Sequence, residues 1–392
     1  MTTTTDTAAK EAYFTASQSQ LIWARFRRNR TAMIAGWFLV LIILAGFFAP
    51  FLSPYDPTVA GRDKDYLNGA PQIPQFCDSN GCSWMPFIHP VEMKLDMATL
   101  RRVPTVNEDK RNHVQFFVEG WEYSYIDWSF DLPGTALDGR IKALTFTTHL
   151  FGLEGGKIHL FGTDGEGKDL FSRTLHAIWT SMAVGTIGVL IAFVLALIIG
   201  GVAGYFGGWI DSVLQMITDA VRTIPSIPLF MAISAILFEY YPEMSSETRF
   251  FVIACILGLI GWPTLARRIR THLLAERTQE YVLAAQLCGA SSGHVIRRHL
   301  LPSFTSYILV DLIISFPYMV LSETALSFIG LGLKDPVNSL GVLLKNLSEA
   351  DVLRNYQWEA IPALFFVVLV LAFVFVGDGL RDAADPYSSS KK

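Results

Sequence analysis

The sequence predicts an all-α polytopic membrane protein with six transmembrane helices and a large external insertion, mixed and partly β, between helices 1 and 2. Three observations lead there. Of 392 residues, 51% are hydrophobic and 17% are charged, against about 25% charged in an ordinary soluble domain. The apolar residues are bunched into uncharged runs long enough to span a bilayer. One long polar segment, 53–176, interrupts them near the amino terminus.

Residues 1–30 form a polar amino-terminal arm ending in Arg25, Arg27, Arg28 and Arg30, and no charge follows until Asp56. A secretory signal begins similarly, but its apolar part is shorter and ends in small residues. The run 31–52 is too long for that and ends in Pro50-Phe51-Leu52-Ser53-Pro54. It is expected to be retained as the first span, since about 20 residues at 1.5 Å rise cover about 30 Å of hydrocarbon. Segment 53–176 holds 12 Lys/Arg and 17 Asp/Glu. Its aromatic alternation, as in His113-Val114-Gln115-Phe116-Phe117-Val118, suits short strands. Within it, Cys77 and Cys82 bracket the turn-forming Asp78-Ser79-Asn80-Gly81, which favours a local disulfide in an oxidising compartment over free thiols or a metal site. The run Trp121, Tyr123, Tyr125 and Trp128 fits one strand face or an interfacial belt better than a ligand site.

Further apolar runs recur at about 177–206, 212–238, 249–266, 304–331 and 359–377, giving a core over 177–378 and a tail over 379–392. Lys and Arg concentrate in the amino-terminal arm and in the 267–303 connection, which holds Arg267, Arg268, Arg270, Arg277, Arg297 and Arg298. Both segments are therefore expected to be cytoplasmic, with both termini inside and 53–176 outside. Six spans satisfy that arrangement. The net charge of −4 lacks the basic surplus of a nucleic-acid binder.

Charges near or within the spans are Asp211, Asp219, Arg222, Asp311 and Glu323. Such groups face a cavity or a partner, because exposing them to lipid costs about 2.5–3.5 kcal/mol on insertion scales. Asp219 and Arg222 are three apart and share a helix face, so they are expected to pair with each other rather than line a pathway. Asp311 and Glu323 are twelve apart, about 18 Å along a helix, and cannot form one site. For Glu323 the sequence leaves interior packing and pathway lining open.

The connection 267–303 is too elaborate for a plain loop. Glu280 to Cys288 favour helix, with Tyr281, Ala284, Ala285 and Cys288 at the spacing of one face. Gly289 breaks it, a second short helix carries Val295, Ile296, Arg297 and Arg298, and Pro302 suits the first turn of span five. Small residues along this helix, turn, helix element let another protein approach closely.

Here the chain resembles the inner-membrane permeases of bacterial ABC importers, specifically the C-type subunits of the oligopeptide and dipeptide group. Their coupling loop reads E-A-A, three residues, Gly, nine residues, then I/H-x-L-P. The matching positions are Leu283-Ala284-Ala285, Gly289 and His299-Leu300-Leu301-Pro302. Three further motifs follow the family order: Phe161 to Arg173 before span two, Leu326 to Gly332 in span five, and Gly377 to Pro386 at the end. Leu283 departs from the motif's Glu, and Glu280 is the nearby acidic substitute. The resemblance assigns an ATPase-coupling interface to Glu280, Tyr281, Leu283, Ala284, Ala285, Gly289, Ala290, Arg297, His299, Leu301 and Pro302. It implies a heteromeric complex in the inner (cytoplasmic) membrane, with a second, B-type permease, two cytoplasmic ATPase subunits and an external solute-binding protein. Peptides would move by alternating access; relatives of the group also carry nickel complexes and oligosaccharides. No resemblance covers roughly 56–158, which is expected to shape contact with the binding protein or cap the pathway.

The chain has no catalytic or metal motif. Gly162 to Lys168 fits G-x-x-x-x-G-K, but Asp169 follows where a phosphate loop needs Ser or Thr, so the run is expected to be a structured turn. No cofactor is expected in this chain, and ATP with magnesium would be bound by the partner ATPases. An ATP-independent secondary transporter would show repeated halves with ion-coupling charges at mid-bilayer, and no such repeat is present. A membrane-anchored enzyme lacks catalytic spacing in 53–176.

Overall fold

The computed structural model describes residues 18–59, 66–79, 81–97, 101–131, 138–153, 156–242, 244–303 and 305–384. Among them, five helices are long and apolar enough to cross a membrane, or six when one bent pair counts as a span. The described residues begin with α1 (Gln18–Phe26) and α2 (Arg30–Phe47). Asn29 caps α2 by accepting from the Ala32 N–H at 3.2 Å, so the basic arm ends where the apolar run starts. A short turn of helix, Ala49–Leu52, closes the span.

The insertion then forms a four-stranded antiparallel sheet in the order β1-β2-β5-β6, from β1 (Gln75–Asp78), β2 (Gly81–Ile88), β5 (Asn112–Asp131) and β6 (Asp138–Leu153). A separate ribbon pairs β3 (Val91–Asp96) with β4 (Arg101–Val106). Cys77 lies opposite Cys82 across the first hairpin and the two are joined by a disulfide. Trp121, Tyr123 and Tyr125 lie on β5, where Trp121 and Tyr123 pack against His149 of β6. His149 is also within hydrogen-bond distance of the Pro50 carbonyl, at 3.0 Å, which ties the sheet to the end of the first span.

Helix α3 (Leu170–Phe206) has 37 residues, about 55 Å at 1.5 Å per residue. It begins seven residues before the apolar run because Asp169 caps it, accepting from the Ser172 N–H and hydroxyl at 2.8 and 2.7 Å. Hydropathy does not reveal that start, since the first turns carry Ser172, Arg173, Thr174 and His176. Near its other end Gly200 and Gly204 let α6 (Ser246–Glu276) lie backbone to backbone. A Cβ on Gly204 would stand 2.7 Å from Leu273 Cβ and 2.8 Å from the Arg270 carbonyl. The main core packs here, with Ala192, Ala196, Leu257, Ala266 and Leu273 fully buried.

The expected span over 212–238 is not one helix. It is α4 (Gly208–Thr223) and α5 (Ser226–Tyr240), bent by 79° at the break. Pro225 has no N–H to donate and holds Ile224 in an extended conformation at ψ 124, as the residue before proline prefers. Span four also runs past its apolar stretch: α6 continues to Glu276, so Arg267, Arg268 and Arg270, expected in the connection 267–303, lie within a helix. Among the further helices are α7 (Glu280–Leu287), α8 (Ser292–Val295), α9 (Thr305–Ile329), α10 (Leu340–Asn346) and α11 (Ile361–Ala384), with short turns of helix at Leu301–Ser303 and Ala350–Asn355. Helix α11 extends into the stretch expected as tail; residues 385–392, with the end of the last motif, lie outside the described residues. A second core joins α1, α2 and α11 to the start of α3, through Phe26, Leu39, Ile178, Leu369 and Phe373.

Candidate functional site

Helix α6 ends beside α3. Arg277 donates to the Tyr205 carbonyl at 3.2 Å, and its guanidinium fills the space where a side chain at Gly207, φ +66°, would stand. The chain then turns into α7, whose first turn carries Glu280, favourably placed at the positive end of the helix. Tyr281 donates to Glu276 at 2.8 Å. Val282 is fully buried and Ala285 packs on the main core, so one face of this eight-residue helix is fixed.

Helix α7 stops at a left-handed glycine. Gly289 has φ +83°, its N–H donates to Gln286 at 2.9 Å, and the Ala290 N–H reaches back to Ala285 at 3.1 Å. These are the two reverse bonds of a Schellman cap. Ser291 then caps α8, and Val295 and Leu300 are fully buried. Residues Ile296–Leu300 form a π turn leading into the short helix Leu301–Ser303 that holds Pro302. A π turn at this point relieves the conflict between the proline ring and the carbonyl four residues earlier.

The result is a two-helix knob seated on a buried base. Its outer side carries Leu287 at 90% exposure, Leu283 at 48% and Tyr281 at 41%, with Ala284, Gly289 and Arg297 also exposed. Ala290, Leu301 and His299 are half-buried, with His299 against His294 at 5.8 Å between rings. Tyr281 and Ala284 thus share an exposed face, as their spacing predicts, whereas Ala285 turns toward the core.

The charges near the spans are arranged differently from expectation. Asp219 pairs with Arg267 of α6 and not with Arg222. A cross-helix guanidinium reaches it better than a residue on its own helix, and Arg222 instead lines a cavity of about 500 Å³ at the α4–α5 break. Arg268 binds Asp311 at 2.9 Å and Arg270 binds Asp211 through two nitrogens. Glu323 is fully buried and accepts from Ser181 at 2.9 Å and Ser327 at 2.8 Å. These contacts hold it between α9 and α3.

At the start of α3 the turn 162–169 is tied into a buried charge network. Arg173 is bound to Asp164, to Asn338 at 2.6 Å and to Asp335 at 2.8 Å. Lys168, also buried, reaches Asp335 at 2.6 Å and Glu166 at 2.8 Å. Asp164 accepts from the Glu166 and Lys168 N–H groups, both at 2.9 Å. A turn with this wiring is structural. Asp335 and Asn338 were not singled out in the sequence; the polar Lys334-Asp335-Pro336 break between apolar runs was the available signal.

Residues 196–388 match the family model for "Binding-protein-dependent transport system inner membrane component", and residues 17–71 match that for "N-terminal TM domain of oligopeptide transport permease C". The chain is 35% identical over 229 residues to a dipeptide transport system permease protein of Bacillus subtilis, covering 58% of this chain and 68% of that one. It is 31% identical over 236 residues to an oligopeptide transport system permease protein of Mycobacterium bovis, covering 60% and 78%. A dipeptide transport system permease protein of Lactococcus lactis is 28% identical over 385 residues, spanning 98% of this chain and 95% of that one. A chain of the MetNI methionine ABC transporter aligns with 54% of this chain and 96% of its own length, at 18% identity and a TM-score of 0.44. The chain belongs to the binding-protein-dependent transport system inner membrane components, in the group of the oligopeptide transport C-type permeases.

Proposed function

We propose that this chain is one of two permease subunits of an ATP-driven importer and passes di- or oligopeptides across the inner membrane by alternating access. The observation that carries the reading is the α7–α8 knob: a rigid, buried base under an exposed apolar tip, ending at a left-handed glycine, on the positions that match the family's coupling motif. That combination suits an element seated in a groove on a separate ATPase subunit. Its buried residues Val282, Val295 and Leu300 share one core with Leu273 of α6, so a displacement of the tip is passed to the long helices through packing. The knob and both termini then face the cytoplasm, and the sheet faces outward, where a solute-binding protein delivers cargo. The B-type partner subunit completes the pathway, and two ATPase subunits bind ATP and magnesium.

The charges near the spans support an ATP-driven mechanism over an ion-coupled one. Asp211, Asp219 and Asp311 are each engaged by an arginine and Glu323 by serines, which leaves them poorly suited to pick up and release a coupling ion. The test is Gly289→Trp. A Cβ at Gly289 meets no atom within 4 Å, so the tip gains bulk without a clash in the core, while the left-handed turn at φ +83° is strained by any side chain; Gly289→Ala, which carries the same strain without the bulk, is the control. The protein is expected to remain in the membrane while ATP hydrolysis is uncoupled from peptide uptake. Wild-type stimulated ATPase and uptake in the purified complex would remove the docking role from this element.

A further inference from the structure

Helices α2 and α11 pack antiparallel. A side chain at Gly379 would collide with Ala32 and Phe26, and a Cβ at Gly36 would stand 3.8 Å from Val376, so the arginine-rich start of α2 lies beside the last turns of α11. Between the two helices runs a groove of about 400 Å³. Ala35 and Ala372 are buried and make its floor, while Ile34, Phe38, Leu371 and Phe375 are exposed and make its walls. From Thr31 to Phe38 the groove extends about 10 Å along α2, within the about 15 Å of hydrocarbon in one leaflet. Both helices are long and apolar enough to cross a membrane, so the groove opens on acyl chains.

The Thr31 end of the groove is where the cations gather. Arg27, Arg28 and Arg30 are exposed, and no ion pair or side-chain hydrogen bond engages them among the described residues. Arg30 stands one turn before Ile34 on the same face of α2. Arg25 and Arg381 lie at this end too, with Asp378 and Asp382 opposing them, so five arginines meet two carboxylates. Trp23, exposed on α1 and stacked on Phe26 at 5.7 Å, sits at the same level, as tryptophan does at a membrane interface. An apolar groove alone accepts any lipid tail, and basic residues alone orient a span. Joined end to end, they match a molecule with an apolar chain and an anionic head.

We propose that the α2–α11 groove and the Arg27, Arg28 and Arg30 cluster form one binding site for an anionic phospholipid, with an acyl chain in the groove and the phosphate among the arginines. The inference goes beyond the transport reading and does not depend on the cargo. A zwitterionic lipid offers the same chain, but its own cation cancels the charge of its phosphate. The excess of arginine over carboxylate at the groove's end therefore selects by net charge.

The test titrates the purified complex in detergent with palmitoyl-oleoyl phosphatidylglycerol or with phosphatidylcholine of the same chains, and counts bound lipid by native mass spectrometry. The first phosphatidylglycerol is expected to bind about tenfold more tightly at low ionic strength, with the preference shrinking as salt is added. Combining Arg27→Gln, Arg28→Gln and Arg30→Gln is expected to bring phosphatidylglycerol down to the phosphatidylcholine affinity and leave the latter unchanged. Ala35→Leu, which raises the floor, is expected to weaken both lipids about fourfold, the worth of about one buried CH₂. Equal affinities in the wild type overturn the proposal, because the groove then holds lipid whatever its head. An undiminished preference in the triple variant, or unchanged binding in Ala35→Leu, also overturns it, since the selective site then lies elsewhere. Should the triple variant fail to insert, exposed Asp378→Asn decides: removing an opposing carboxylate is expected to tighten phosphatidylglycerol alone by about threefold, and no selective gain overturns the proposal.

Discussion

At the Leu170 end of α3, the charges the chain brings in are answered within the chain: Arg173 meets Asp164, Asp335 and Asn338, and Lys168 meets Glu166 and Asp335. At the Phe206 end, the neighbouring knob buries Val282, Val295 and Leu300 but leaves Leu287, Leu283 and Tyr281 outward. One end uses electrostatics to lock distant segments together. The other uses a small apolar base to hold up a surface that the described residues leave uncovered. A locked network and an uncovered apolar surface thereby lie near opposite ends of a single 37-residue helix, and substitutions at the two ends are expected to have opposite profiles.

The largest effect on stability is expected for Arg173→Ala. It leaves Asp164, which is buried, and the half-covered Asp335 without their cation, and breaking one side of a buried pair costs about 3–5 kcal/mol. Thermal unfolding of the purified complex, with the amount of folded protein in membranes, measures it. Arg173→Lys is expected to recover only part, because one ammonium cannot reproduce bonds from Nε, Nη1 and Nη2 to three partners. An unchanged unfolding temperature in Arg173→Ala would mean that the network adds nothing and would dissolve the contrast between the two ends.

The sequence makes these two ends legible to different degrees. The knob was readable because its signals are local: helix formers from Glu280, a glycine at 289, a proline at 302. The structure adds the π turn and turns Ala285 inward. The network was not readable, because Arg173 and Asp335 are 162 residues apart and composition shows only a polar turn and a polar break. Spans two, five and six stood out by hydropathy over most of their length. The broken third span did not, since averaging over 212–238 hides a bend at Ile224-Pro225. Helix α6 outran its apolar run because Arg268 and Arg270 find Asp311 and Asp211 on neighbouring helices, a compensation that no window on one segment contains.

A smaller loss is expected at the knob's turn. Gly289→Ala places a Cβ at φ +83°, where non-glycine residues pay about 1–2 kcal/mol, although the space around it is open. Gly293, inside α8 and equally open, is the control; Ala there should be neutral or slightly stabilising by about 0.5–1 kcal/mol. Unfolding measurements on the two variants separate strain from crowding. Equal behaviour would show that the left-handed turn does not need its glycine.

The smallest effect on stability should accompany a large effect on assembly. Leu287 is 90% exposed and closes the last turn of α7, where a carboxylate opposes the helix dipole by about 0.3–1 kcal/mol, so Leu287→Glu is expected to unfold only slightly more easily than the wild type. Yet a charge at the tip of an apolar knob must be desolvated when the knob enters a groove, and a buried, unpaired carboxylate is strongly disfavoured. Copurification of the ATPase subunits should therefore fall sharply while the permease itself remains intact. The comparison with Arg173→Ala makes this informative: a stability loss there with no binding-specific defect, and a binding loss here with little stability defect, cannot both arise from general misfolding. If Leu287→Glu retains its ATPase subunits, the exposed leucine is incidental, and the docking surface has to be sought on the half-covered face formed by Ala290, His299 and Leu301.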